Sequence, residues 1–311
     1  MSAVPEISVV IPAYNEEGNI AEIINKLKEV LRDRHDMEII FVDDGSTDNT
    51  LTKIKQAAHK DSRIFFIHFS RNFGHQAALK AGIDYARGNC IITMDADLQH
   101  PPRLIPEMLN YWKQGYDVVY TQRVEEKDIS FFKKFTSRFF YFVLKKLSQL
   151  PIEEGTADFR LIDRKVADII KNTNDPFLFI RGFLPWMGFR QKKIVYQPEP
   201  RFSGTTKYSL RKMAAFAING ITGFSVKPLR MASFLGIFIS LFSFCYAIYA
   251  VLIYFTSDKV ISGWASMVIS VTMIGGIQLI ILGIIGEYIG KIYLQLKNRP
   301  FYIVGETNIQ Q

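Results

Sequence analysis

Two pairs of carboxylates have the type and spacing to do chemistry together. They are Asp95 and Asp97 in Met94-Asp95-Ala96-Asp97-Leu98, and Asp43 and Asp44 in Val42-Asp43-Asp44-Gly45-Ser46. Carboxylates at i and i+2 just beyond a strand can converge on one hard cation, leaving its other positions to water and phosphate oxygens. Mg2+ or Mn2+ held this way would neutralise a diphosphate as it leaves. The Asp43-Asp44-Gly45-Ser46 run also suits a turn followed by a helix cap, since Asp and Ser accept from nearby backbone N–H groups. Both roles can hold at once.

Positioning these side chains requires strand ends. Short apolar runs at Ile7–Ile11, Glu38–Val42, Ile64–Phe69, Cys90–Met94 and Val118–Thr121 read as strands. The intervals Asn19–Leu31, Asp48–His59, His75–Ala86 and Pro102–Trp112 read as helices. Strands alternating with helices predict an α/β fold, a mainly parallel sheet covered on both faces. Ligands of such sheets bind beyond the carboxyl ends of the strands. Tyr14-Asn15-Glu16, Asp43-Asp44-Gly45, Arg71-Asn72 and Asp95-Ala96-Asp97 each fall at such an end. No G-x-G-x-x-G follows the first strand, which argues against a dinucleotide site.

The rest of the 311-residue chain has a different character. Met231–Ser257 and Val260–Gly286 contain no Asp, Glu, Lys or Arg and are separated by Asp258-Lys259 alone. Each exceeds the roughly 20 apolar residues that cross a bilayer core, so the pair predicts a transmembrane hairpin. Lys207, Arg211, Lys212, Lys227 and Arg230 precede it, and Lys291, Lys297 and Arg299 follow it. The positive-inside rule then makes both chain ends cytoplasmic. No signal peptide is expected, because the apolar stretch at Ile7–Pro12 is too short and lacks a basic start. Cys90 in a strand and Cys245 in a span make a disulfide improbable. The net charge of +8 suits anionic lipid or phosphate partners. No nucleic-acid-binding module accompanies it.

Ser130–Leu147 would place Phe131, Phe132, Phe135, Phe139, Phe142 and Val143 on one helix face, with Lys133, Lys134, Ser137, Arg138 and Lys145 opposite. Such a helix either lies on a membrane surface or packs its aromatics on the domain core. A second stripe, Leu210, Met213, Ala217, Ile221 and Phe224, leads into the first span.

Val9-Val10-Ile11-Pro12-Ala13-Tyr14-Asn15-Glu16-Glu17, Val42–Asp48, Arg71–Gly82 and Met94–Pro102 together resemble family 2 glycosyltransferases of the GT-A fold. The nearest likeness is to dolichyl-phosphate mannosyltransferases and bacterial undecaprenyl-phosphate glycosyltransferases. That resemblance implies inverting, metal-dependent transfer of a sugar from a nucleotide-sugar to a polyisoprenyl phosphate. It assigns Pro12, Tyr14, Glu16, Asp43, Asp44 and Lys80, with Asp95 and Gln99, to the nucleotide-sugar, and Asp95 and Asp97 to Mg2+ or Mn2+. Asp158 takes the place of the catalytic carboxylate beside Asp97, either aligning the acceptor or taking up a residual proton. Arg123, Lys133, Ser137, Arg138, Arg201 and Lys207 are the implied acceptor-phosphate cations and hydrogen-bond donors.

The expected organisation is a cytoplasmic GT-A domain over 1–207, a juxtamembrane helix over 208–229, the hairpin over 230–290 (231–256 and 261–286), and a cytoplasmic tail over 291–311. The whole would sit in a bacterial inner or plasma membrane. UDP-glucose is the first donor to consider, with GDP-mannose and modified UDP-pentoses as alternatives, and the lipid-linked sugar would serve surface glycan modification. A processive polysaccharide synthase would add a Q-x-x-R-W signature and more spans. Here Arg181–Trp186 reads Arg-Gly-Phe-Leu-Pro-Trp. A non-catalytic membrane scaffold would not need the D-x-D motif. Gly275-Gly276 and Gly283-x-x-Gly286 permit close helix approach, so a homo-oligomer is expected.

Overall fold

The computed structural model describes residues 5–32, 36–124, 155–175, 178–197, 222, 225–256 and 263–310. The helix expected over 130–147 with Lys133, Ser137 and Arg138, the loop residues Arg201 and Lys207, and most of the 208–229 stretch lie outside the described residues.

One unit is an eight-stranded sheet in the order β7-β5-β6-β4-β1-β2-β3-β8. Its strands are β1 (Ile7–Ala13), β2 (Met37–Asp43), β3 (Ile64–Phe69), β4 (Cys90–Thr93), β5 (Val118–Arg123), β6 (Thr156–Asp163), β7 (Gln191–Tyr196) and β8 (Val304–Thr307). Its helices are α1 (Ile20–Val30), α2 (Thr50–Lys60), α3 (His75–Tyr85), α4 (Ile105–Lys113), α5 (Arg164–Lys171) and α6 (Ile180–Trp186). Every residue of β1 and β2 is buried, which is why these strands read as unbroken apolar runs. Alternate strand residues feed two cores. Ile7, Val9, Ile11, Ile39 and Phe41 meet Ile20, Ile23, Leu27 and Ile54 on one face. Val10, Ile40, Val42 and Ile67 meet Ala78, Leu79, Ile83, Val166 and Ile170 on the other.

The direction of each strand decides what reaches the rim. β1 pairs in parallel with β2 and β4, β2 with β3, and β5 with β7. Against them, β6 is antiparallel to both β4 and β5, with Arg160 opposite Thr93 and Tyr120. The start of β6 therefore lies where its neighbours end, and Asp158 arrives beside the carboxyl end of β4. The Thr93 hydroxyl fixes this alignment by donating to the Asp158 carbonyl at 2.6 Å. Pro12 is tolerated in a central strand because the β1–β4 pairing stops at Val10. Its missing N–H faces the side that β4 has already left.

The second unit holds two long helices, α7 (Lys227–Thr256) and α8 (Trp264–Leu296). Both are long and apolar enough to cross a membrane. They carry large exposed apolar side chains, among them Phe234, Phe238, Phe242, Leu279 and Leu282. Cys90 and Cys245 are free thiols. The segment expected as a tail after the hairpin divides instead. The second helix runs on to Leu296, and residues from Arg299 return to the sheet unit, where β8 pairs antiparallel with β3. The open edge of β3 presents unpaired backbone groups, and the tail satisfies them.

Helix α3 lies close on the sheet: a Cβ added at Gly82 would stand 2.1 Å from Val10 Cγ1. Val10 is fully buried and stiff at χ1, so it has little room to yield. Gly82→Ala is expected to cost about 1–3 kcal/mol through overpacking, read as an earlier urea midpoint at unchanged slope. An unmoved midpoint would show that α3 can shift away freely.

Candidate active site

The loops after β1 and β2 are laced into one body. Asn15 takes a left-handed φ of +55°, which Asn tolerates, and its side-chain oxygen accepts from Thr47 N–H at 2.9 Å. Its own N–H donates to Ser46 Oγ at 3.0 Å, and Glu16 N–H donates to Thr50 Oγ1 at 2.8 Å. The Glu16 carboxylate accepts from the Asn19 amide at 2.5 Å. Tyr14 stays on the surface of this body, 38% exposed.

Asp43 and Asp44 have different work. Asp44 accepts from Phe73 N–H at 2.6 Å and Gly74 N–H at 2.9 Å, which pins the loop leading into α3. Burial pushes its carboxyl above the ordinary value, and those amides offset part of the rise. Gly45 between the loops has φ +67°, and a Cβ there would lie 2.6 Å from the Arg71 carbonyl carbon, so only glycine fits. Asp43 places Oδ2 2.6 Å from His68 Nδ1. Its Oδ1 is buried with no hydrogen-bond partner, and such a group is costly unless a ligand donates to it.

The Asp95–His100 loop turns through Leu98, whose φ is +62°. A left-handed leucine costs about 1–2 kcal/mol, and here burial of its side chain holds it. The turn lets Gln99 N–H donate to Asp97 Oδ1 and brings His100 under Asp95, whose N–H donates to Nδ1. His100 is fully buried and stacks on Phe159. Burial lowers its pKa, with Asp95 opposing and Arg123 adding to the fall. Arg123 donates to Tyr196 Oη at 3.1 Å, reaches Gln99 Oε1 at 3.4 Å, and lies 3.0 Å from His100 Nε2. Asp95 Oδ1 is buried without a hydrogen-bond partner. Among the described residues no three His, Cys, Asp or Glu side chains gather as a metal cluster.

Asp158, 2% exposed, ties this floor to two further elements. Arg181 of α6 grips it with both prongs, Nε to Oδ1 at 2.7 Å and Nη2 to Oδ2 at 2.6 Å. His75, the first residue of α3, places Nε2 3.1 Å from Asp158 Oδ2 and 3.5 Å from Asp95 Oδ1. Burial would raise the Asp158 pKa, but the Arg181 charge and the His75 hydrogen bond outweigh it and hold the carboxyl well below its usual range. Burial pushes Arg160 down to about 10, which leaves it charged at neutral pH. His75 is raised: burial opposes its charged form, and Asp158 and Asp95 overcome that. Its ring remains 43% exposed, so solvent moderates the effect.

The structure thus brings Pro12, Tyr14, Glu16, Asp43 and Asp44 to one stretch of rim, and Asp95, Asp97, Gln99, Arg123 and Asp158 to the adjoining one. Lys80 has a different setting. Expected at the nucleotide, it is buried in α3 with Nζ 2.6 Å from Asp84 Oδ1 and donating to the Lys171 carbonyl at 3.1 Å. Lys80 and Asp84 stand one helical turn apart, the i,i+4 spacing at which opposite charges meet. The sequence assigned no role to His68, His75, His100, Arg160 or Arg181. His75 did lie inside the Arg71–Gly82 match, but its partners are distant in the chain.

A histidine raised by its neighbours is charged up to and beyond its unfolded value of about 6.5. The stability it adds is full below that pH and is lost as pH rises through the folded value. The His75 ring, followed by NMR in the intact chain, should titrate above the free value, and in Asp158→Asn it should titrate lower. An unchanged midpoint would show that Asp158 does not hold its proton.

Glycosyl transferase family 2 matches residues 8–170. The uncharacterized glycosyltransferase YkcC of Bacillus subtilis (strain 168) is 45% identical over 99% of this chain and 95% of its own length. The SfII prophage-derived bactoprenol glucosyl transferase of Shigella flexneri is 36% identical over 97% of this chain and 98% of its own. Among solved structures, the mannosyltransferase PcManGT from Pyrobaculum calidifontis, in complex with GDP-Man and Mn2+, is 20% identical with a TM-score of 0.47. That match covers 71% of this chain and 64% of the mannosyltransferase. The chain belongs to glycosyl transferase family 2 and is a glycosyltransferase with the GT-A α/β architecture.

Proposed function

We propose that this glycosyltransferase moves a sugar, first of all glucose from UDP-glucose, onto undecaprenyl or another polyisoprenyl phosphate at the cytoplasmic face of a membrane. The single observation behind it is a rim carrying two buried carboxylate oxygens without a hydrogen-bond partner, Asp43 Oδ1 and Asp95 Oδ1, with His75 Nε2 3.5 Å from the latter. A buried acceptor oxygen on Asp43 suits the imide N–H of a uracil base. Asp95 and Asp97 suit a divalent cation with a diphosphate completing its shell. The near full-length likeness to bactoprenol glucosyl transferases supports the lipid acceptor and the sugar. The two apolar helices support an integral membrane protein able to reach such a lipid.

In the proposed reaction an acceptor phosphate oxygen bonds to the anomeric carbon while the bond to the diphosphate breaks, and its electron pair leaves with the nucleotide. Inversion would turn an α-linked donor into a β-linked lipid. Mg2+ or Mn2+, when bound by Asp95 and Asp97, would supply charge neutralisation for the departing diphosphate. Arg123 would bind phosphate, a task for which a guanidinium offers two parallel hydrogen bonds. Asp158 would not serve as a base. A carboxylate held far below neutral is a weak one, and a phosphate monoester with a second pKa near ~6 is largely a dianion already at pH 7. Its role would be to fix Arg181 and His75.

The test is transfer of labelled glucose from UDP-glucose into organic-extractable lipid by the purified chain with undecaprenyl phosphate and Mn2+ or Mg2+. Label should appear and fall by about 10²–10³ in Asp95→Asn, the scale of losing a transition-state charge contact. Label from GDP-mannose or a UDP-pentose alone would move the donor, and none from any of them would overturn the proposal. Asp158→Asn should lose at least as large a factor at pH 8 as at pH 6, because the carboxylate does not titrate in that window while His75, without it, gives up its proton sooner. A loss that shrinks at pH 8 would instead make Asp158 a proton acceptor for the phosphate monoanion.

A further inference from the structure

We propose that the segment following the second long helix, residues 299–309, is a positioning element of the donor pocket, with Tyr302 as its central contact. Its grip on β3 is extensive. His68 pairs with Glu306 and Phe69 with Val304 across the antiparallel ladder. Asn308 Oδ1 accepts from Phe66 N–H at 2.8 Å, and the Thr307 hydroxyl donates to the Phe66 carbonyl at 2.7 Å. Ile309 is buried. Beyond the end of β3 the contact continues into the 70–74 loop, where Ser70 N–H donates to the Ile303 carbonyl at 3.1 Å.

Tyr302 joins two parts of the site at once. Its ring stacks on Phe69 at 5.2 Å, and Phe69 meets Phe73 edge-on at 5.6 Å. Phe73 and Gly74 are the residues whose N–H groups Asp44 holds. The Tyr302 hydroxyl donates to Asp84 Oδ2 at 2.9 Å, on the helix that begins with His75. Asp84 is already bound to Lys80, and Lys80 to the Lys171 carbonyl. Burial, with the Asp84 charge adding to it, pushes the Tyr302 phenol up, so it remains a donor.

The tail therefore braces β3, which carries the Asp43 partner His68, together with the 70–74 loop and the body of α3. The Asp44 clamp and the His75–Asp158 contact hold the same loop and helix from the opposite end. Without the Tyr302 ring, Phe69 loses one of the two ring contacts it makes among the described residues, and the loop can move relative to Asp44. Among the described residues the tail strand pairs with β3 and not with β1 or β4, so the stability of those two strands offers an internal reference.

The effect on activity rests on the nucleotide-sugar proposal, whereas the effect on the loop does not. The experiment compares the full chain with Tyr302→Ala and Tyr302→Phe by amide hydrogen exchange and by steady-state kinetics with UDP-glucose and undecaprenyl phosphate. In Tyr302→Ala the amides of 70–79 should exchange about tenfold faster, while those of β1 and β4 keep their protection. Donor KM should rise severalfold with acceptor KM unchanged, and Tyr302→Phe, which keeps the stack, should show a smaller rise. Unchanged exchange at 70–79, or acceleration spread equally over β1 and β4, would overturn the proposal. Turnover absent in every protein, the parent included, would count against the substrate assignment, and the exchange pattern would still decide the role of the tail.

Discussion

A carboxylate with almost no access to water must have its charge balanced by fixed partners, and Asp158 is such a group. Arg181 supplies a two-pronged ion pair and His75 a third hydrogen bond, so one side chain of β6 sets the position of α6 and of the start of α3. Arg160, on the same strand, adds a further buried positive charge at 3.4 Å. Removing the carboxylate would leave these cations facing one another. The arrangement of the rim follows from that constraint, because His75 also faces Asp95 and thereby links Asp158 to the D-x-D loop.

The fold delivers this arrangement by reversing one strand. Had β6 run parallel to its neighbours, Asp158 would lie toward the opposite edge of the sheet. Antiparallel pairing puts it at the carboxyl rim instead, where ligands of α/β sheets bind. Local strain is accepted at the same rim. Leu98 takes a left-handed conformation to fold His100 beneath Asp95, and Gly45 removes a side chain where two loops touch. Such costs persist only where surrounding structure over-determines them. Here buried Leu98 and the His68–Asp43 and Asp44–loop contacts supply that support.

Much of the sheet was legible in the residues. β1 to β5 and α1 to α4 fall where apolar runs and helical intervals alternate, since burial on both faces leaves a strong signal. The D-x-D and Asp43-Asp44 motifs lie at strand ends as expected. β8 was not legible, because Val304–Thr307 is four residues long and is a strand only by virtue of an edge supplied by distant β3. The ion cluster was equally hidden, as Asp158, Arg181 and His75 come together only through the tertiary fold. Lys80 carried a local signal that was available: Asp84 stands four residues on, one helical turn away. Asp43 and Asp44 looked equivalent in sequence, and only their tertiary partners, His68 for one and the loop amides for the other, distinguish them.

The central claim is that Asp158 acts by holding Arg181 rather than by taking a proton. A double-mutant cycle in full-length protein, measuring sugar transfer for Asp158→Asn, Arg181→Gln and the two combined, tests it most directly. Groups that work as a unit are strongly non-additive. The double variant should therefore be about as active as the worse single variant. Losses that multiply would mean that the two residues act independently, and the ion pair would then not be what organises this site.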